Sequence, residues 1–87
     1  MRLDKYLQVA RIIKRRTLSK DLVLLGRVSI NGKQAKPSTE VQAKDVLDID
    51  LRDVFLRVRV EAIKEHVRKE EADLLFTILE EINKTTH

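Results

Sequence analysis

The residues of this 87-residue chain best equipped for chemistry are cationic and crowd one end. Residues 1–36 hold ten lysines and arginines: Arg2, Lys5, Arg11, Lys14, Arg15, Arg16, Lys20, Arg27, Lys33 and Lys36. Asp4 and Asp21 are the acids of that stretch, and two carboxylates cannot neutralise it. Residues 37–87 reverse the balance with eight bases and twelve acids, so the net charge of +4 conceals a strong asymmetry. Solubility does not need such a split. It points to one electropositive face that meets a polyanion, with a merely solvated basic surface as the plainer alternative. Arginine's planar fork suits phosphate oxygens and base edges better than the point charge of lysine.

Other chemistries are poorly supplied. There is no cysteine, which excludes thiolate chemistry and disulfides and fits a reducing compartment. His66 lies in a charged stretch and His87 is the last residue; neither has a second ligand at metal-binding spacing. Glu70-Glu71 and Glu80-Glu81 read as the solvated face of a helix. The two glycines, Gly26 and Gly32, cannot form a glycine-rich phosphate loop. We therefore expect no catalytic residue, no metal and no cofactor. Aromatic residues make up 3%, and Tyr6 is expected to pack between helices and sheet more than to stack on a base. Binding should then depend on RNA or DNA backbone and shape.

These cations need a scaffold. At 43% hydrophobic and 37% charged residues the chain is too apolar for disorder and too charged for a membrane protein. No apolar run approaches the ~18 residues of a membrane span, and the charged start, Met1 to Lys5, lacks a signal-peptide pattern, so a cytoplasmic protein is expected. Leu3, Leu7, Ala10 and Ile13 predict a first helix over Leu3 to Arg11. Thr17 is a plausible N-cap for a second, whose stripe is Leu18, Leu22 and Leu25 and whose end is Gly26. Its N-terminal N–H groups would add to an anion site. Val28 to Ile30, the turn Asn31-Gly32 and Lys33 to Ala35 predict a hairpin. Lys36 to Thr39 reads as loop. Val46 to Leu51 and Val54 to Val60 alternate as half-buried strands joined at Arg52-Asp53. Ala72, Leu75, Phe76, Leu79 and Ile82 recur at helical spacing and predict a C-terminal helix over Lys69 to Asn83. The fold class is α+β. The candidate nucleic-acid surface comprises Arg2, Lys5, Arg11, Lys14, Arg15, Arg16, Lys20, Lys33 and Lys36.

The ordered series Arg2-Leu3-Asp4-Lys5-Tyr6-Leu7, Lys14 to Leu18, Gly26 to Gly32, Lys36-Pro37-Ser38 and Val41 resembles the RNA-binding domain first seen in ribosomal protein S-four. The resemblance covers residues 1–51 and implies the alpha-L fold, two short helices packed on a small antiparallel sheet. Two departures stand out. Arg15-Arg16 replaces the usual Ser-Arg before the second helix. Lys44-Asp45 replaces the usual Gly-Asp, so a turn that ordinarily uses glycine must form without it. On this reading residues 1–62 are the RNA-binding domain and 63–87 a C-terminal extension.

This module is often joined to a catalytic domain, and none is expected within these 87 residues. With Lys69 to Glu81, the chain is similar nearly end to end to the RqcP family (formerly YabO), relatives of the heat-shock-protein-fifteen family. That resemblance implies a monomeric factor of ribosome-associated quality control that binds rRNA and peptidyl-tRNA on stalled large ribosomal subunits. Its partner would be an RqcH-type alanine-tailing protein. Arg2 and Arg16 are then the leading candidates for essential rRNA contacts, with Asp4 orienting its basic neighbours. Three rivals stay open: a heat-shock-type large-subunit recycling factor, a DNA-binding helix-turn-helix, and a protein-interaction module with incidental charge.

Overall fold

Alternating aliphatic residues in the middle of the chain form the sheet on which everything else is hung. The computed structural model describes residues 1–13 and 16–84, the side chains of Arg16 and Thr17 excepted. Five strands, β1 (Val28–Ile30), β2 (Lys33–Gln34), β3 (Val46–Asp50), β4 (Val54–Val60) and β5 (Phe76–Asn83), make one antiparallel sheet in the order β2-β1-β3-β4-β5. Asn31 and Gly32, with φ of 51° and 84°, close the β1–β2 hairpin as the Asn-Gly pair predicts, because a two-residue turn of matching twist needs both residues left-handed. Lys44 adopts φ 76°, so the turn before β3 is left-handed without its glycine. Asp45 holds that corner: it accepts from the Gln42 N–H at 2.8 Å and from Asn31 Nδ2 at 3.0 Å.

Two helices, α1 (Leu3–Val9) and α2 (Arg16–Leu24), cover the sheet. Neither is long enough to persist in isolation. Leu3 and Leu7 of α1 and its cap Ala10 turn inward as the spacing predicts, with Tyr6 beside them; Ile13 is also buried, but from beyond the helix end. They meet Val28, Leu47, Ile49, Val58 and Val60 from the sheet, with Val23, Val41 and Leu75 closing the sides. The two helices end alike. The Arg27 N–H donates to Leu22 O and the Gly26 N–H to Val23 O; the Ile12 N–H donates to Leu7 O and the Arg11 N–H to Gln8 O. This pattern requires a left-handed residue just past the helix. Gly26 supplies it at φ 77°, Arg11 at φ 57°.

Two expectations are corrected. The buried face of α2 is Ser19 and Val23, whereas Leu18 and Leu25 stay 45% and 71% exposed. The shift of one position turns the helix by about 100°. Small Ser19 in place of leucine allows α2 to lie close to its neighbours, and Leu22 is left at the boundary, half-buried. The predicted C-terminal helix over Lys69 to Asn83 is also absent as such. Lys69–Leu75 form a 3-10 helix that buries Ala72 and Leu75, and the chain then extends as β5. A bulge explains the mimicry. Val58 pairs with Ile78 and Arg57 with Glu80, which leaves Leu79 as an extra residue. The phase of alternation slips there, and apolar positions fall three apart as they do on a helix. The free edge of β4, with its unpaired backbone groups, outweighs the helical spacing.

Candidate nucleic-acid interface

The surface is assembled from the start of the chain outwards. Arg2 is the N-cap of α1, in extended conformation, and its side chain is 57% exposed. Its guanidinium forks onto Asp4, Nε to Oδ1 at 3.2 Å and Nη2 to Oδ2 at 3.1 Å. Asp4 Oδ1 also accepts the Lys5 N–H at 2.8 Å, a favourable place for a carboxylate in the first helical turn. Asp4 therefore aims a neighbouring base, as expected of it. Backbone bonds from the Leu3 N–H to Thr39 O, the Asp4 N–H to Pro37 O and the Val41 N–H to Met1 O lace this segment to the 37–41 loop. Lys36, exposed at the head of that loop, is thereby held beside the start of α1.

The charge asymmetry survives folding. In the second half, Arg57 donates to Asp48 at 2.7 Å and to Glu80 at 3.3 Å, lies 5.7 Å from the Phe55 ring centroid, and so ties β3, β4 and β5 together. Arg59 donates to Glu61, which Thr77 also reaches. These pairs hold both guanidinium groups above their ordinary pKa, chiefly through the hydrogen bonds to Asp48 and Glu61, and hold the Glu61 carboxyl below its own. In the first half, among the described residues, Lys5, Arg11, Lys20, Arg27, Lys33 and Lys36 have no carboxylate partner, and Arg2 has one. Unpaired cations near one another are a binding asset and a folding cost.

Of the nine candidate residues, the structure places Arg2 exposed at the start of α1, Lys36 exposed next to Pro37 of the loop bonded to that start, Lys5 and Arg11 together on a groove, Lys20 exposed on α2 and Lys33 exposed on the edge strand β2. Lys14 and Arg15 lie outside the described residues, and so does the side chain of Arg16, which opens α2 one residue before the expected N-cap Thr17. Tyr6 is fully buried and its hydroxyl donates to Leu75 O at 2.7 Å, so it offers no stacking face. Burial raises its phenol pKa, with Glu61 adding to the effect.

The groove holds what the sequence did not disclose. Lys5, Gln8, Val9 and Arg11 form one wall and Glu65, His66 and Val67 the other, around an open cavity of about 360 Å³. A neighbouring cavity of about 420 Å³ begins at Arg11 and runs to Lys69, Ala72 and Asp73. Arg11 stands between the two, and its left-handed backbone costs roughly 1–2 kcal/mol in a non-glycine residue. His66 had no visible partner in the sequence, because the residues on the facing wall of the groove are more than fifty positions away. No group of three or more histidines or acids able to hold a metal occurs among the described residues, and no helix there is long and apolar enough to cross a membrane.

Comparisons with known proteins agree with this geometry. A family model of the S4 domain matches residues 1–47. The chain is 48% identical over 81 residues to the RQC P-site tRNA stabilizing factor of Bacillus subtilis, covering 93% of this chain and 94% of the relative. The protein of the same name from Listeria innocua is 44% identical, with coverage of 93% and 88%. Heat shock protein 15 of Escherichia coli is 38% identical over 77 residues, which span 87% of this chain and 58% of that one. Among solved structures, heat shock protein 15 of Vibrio cholerae, described as trimeric, superposes with a TM-score of 0.82 at 34% identity, covering 90% of this chain and 80% of its own.

Proposed function

We propose a function from one premise: the chain belongs to the S4 domain family and, within it, to the RQC P-site tRNA stabilizing factors. It is an RNA-binding protein connected with ribosome-associated quality control. Our finer reading is that it binds rRNA and tRNA on stalled large ribosomal subunits carrying peptidyl-tRNA. It would hold the tRNA in place while an RqcH-type protein adds alanine to the nascent chain. It does so in the cytoplasm, as a monomer and a non-catalytic adaptor.

One observation carries this reading. Among the described residues, the lysines and arginines of residues 1–36 lack carboxylate partners, apart from Arg2 with Asp4, whereas Arg57 and Arg59 are paired. Phosphates are the partners that such a surface fits, and released counterions help drive their binding. Arg2, Lys5, Arg11, Lys14, Arg15, Arg16, Lys20, Lys33 and Lys36 form the proposed contact set. A charged hydrogen bond is worth about 1.5–3 kcal/mol, so Arg2→Ala and Arg16→Ala should each weaken co-sedimentation with large subunits by roughly ten- to hundredfold while leaving the protein folded. Unchanged co-sedimentation of both variants sinks the assignment. The likeness to heat shock protein 15 favours a second reading, large-subunit recycling without tailing. Deletion of the gene separates the two: loss of alanine tails supports the first, and intact tails with stalled subunits accumulating supports the second.

A further inference from the structure

We propose that the groove between the end of α1 and the 61–68 connector seats one unstacked RNA nucleotide, with His66 as the surface on which its base stacks. The inference rests on the RNA-binding reading above and extends the interface beyond the S4-matched residues 1–47.

Four observations converge on it. The cavity, about 360 Å³, falls within the range of small-ligand clefts. Its lining is mixed: Val9 on one wall and Val67 on the other, both half-buried, offer apolar contact to a ribose or base. Its rim carries Lys5 and Arg11, neither of which has a carboxylate partner, at the place where a flanking phosphate would lie. Gln8 can both donate to and accept from a base edge or a 2′-hydroxyl, and Glu65, on the opposite wall, can accept from an exocyclic amine while keeping phosphate to the cationic side. Arg11 is held at φ +57°, where glycine is the usual residue. An arginine held in that conformation, without a carboxylate partner and lining two cavities, suits a binding role better than a structural one.

The stacking element follows by comparison of the planar side chains. Tyr6 is buried, Phe76 packs against the core and Phe55 is half-buried beside the Arg57 guanidinium. His66 is exposed and lines the groove. Histidine is among the side chains on which splayed-out RNA bases stack. A seat of this kind takes an unpaired nucleotide from a loop or bulge and refuses a continuous duplex, so it would add selectivity for RNA shape to a surface that otherwise reads only phosphate.

The test uses the full chain and two synthetic RNA hairpins, identical except for one bulged adenosine, with affinities measured by fluorescence anisotropy. The wild-type protein should bind the bulged hairpin about tenfold more tightly, the usual scale of one aromatic stack. His66→Ala should abolish that preference and His66→Phe should retain it. Arg2→Ala should weaken both hairpins by the same factor. Equal affinity of the wild type for both RNAs, or a preference that survives His66→Ala, overturns the inference and leaves the RNA-binding reading standing. Failure of the wild type to bind either hairpin overturns that reading, and the inference with it.

Discussion

Inside the core, the Tyr6 hydroxyl reaches the Leu75 carbonyl oxygen at 2.7 Å, and that oxygen also accepts from the Glu61 and Ala62 N–H groups. Tyr6→Phe therefore leaves no orphaned acceptor and should cost only about 1 kcal/mol, the net value of one hydrogen bond. Its clearer signature is in pH. Burial raises the phenol pKa above its ordinary 10.0, so the native state favours the neutral ring. This stabilisation is complete below pH 10.0 and is lost as pH rises towards the folded-state value. Thermal midpoints of the wild type should fall steeply with alkali above that point, and those of Tyr6→Phe should not; parallel curves would refute the assignment. At Lys44, with φ 76°, glycine would relieve strain that exceeds its own entropic cost. Lys44→Gly should stabilise the fold by about 0.5–1 kcal/mol in urea titrations. That a turn here must form without its usual glycine was legible in the sequence from the family pattern; the left-handed backbone of Lys44 comes from the structure. The same demand at Arg11 was not legible, since nothing local distinguishes an arginine inside a helix from one just past its end.

Among the elements, α1, the Asn-Gly hairpin, β3 and β4 were readable because each has a single period and a clean boundary. The α2 face and β5 were not. In α2 three leucines mark a stripe, yet the helix buries Ser19 and Val23 instead, for close approach outweighs apolar count in a nine-residue helix. In β5 the bulge at Leu79 breaks the alternation that identifies a strand. The bulge makes an unusual deletion tolerable. Removing Leu79 leaves Ile78 opposite Val58 and Glu80 opposite Arg57, now as consecutive pairs of a regular ladder. The deletion should fold, with its thermal midpoint near the wild type. Deletion of Leu56, in the unbroken part of β4 and paired on both sides, should prevent folding by throwing every later inward residue outward. If the Leu79 deletion unfolds as readily as that of Leu56, the bulge is misplaced.

Across the whole molecule, a basic half whose described lysines and arginines are unpaired, Arg2 excepted, is joined to an acidic half in which Arg57 and Arg59 are paired with carboxylates. Binding to RNA should weaken linearly on a log–log plot against salt, and each lost phosphate contact should reduce the slope by about 0.7–0.9. Arg2→Ala is expected to do so; a slope indifferent to salt would point to a protein partner instead. The bond that closes the core has a consequence for synthesis. Tyr6 and Leu75 are separated by 69 positions, and β5, made after both, supplies the last edge of the sheet. During translation, then, the first helix emerges long before the residues that lock it. The helix carrying Lys5 can bond to the 37–41 loop early, but its Tyr6 hydroxyl finds its partner only after Leu75 has emerged. A newly made copy therefore closes the core beneath its basic surface only when its last quarter has been made.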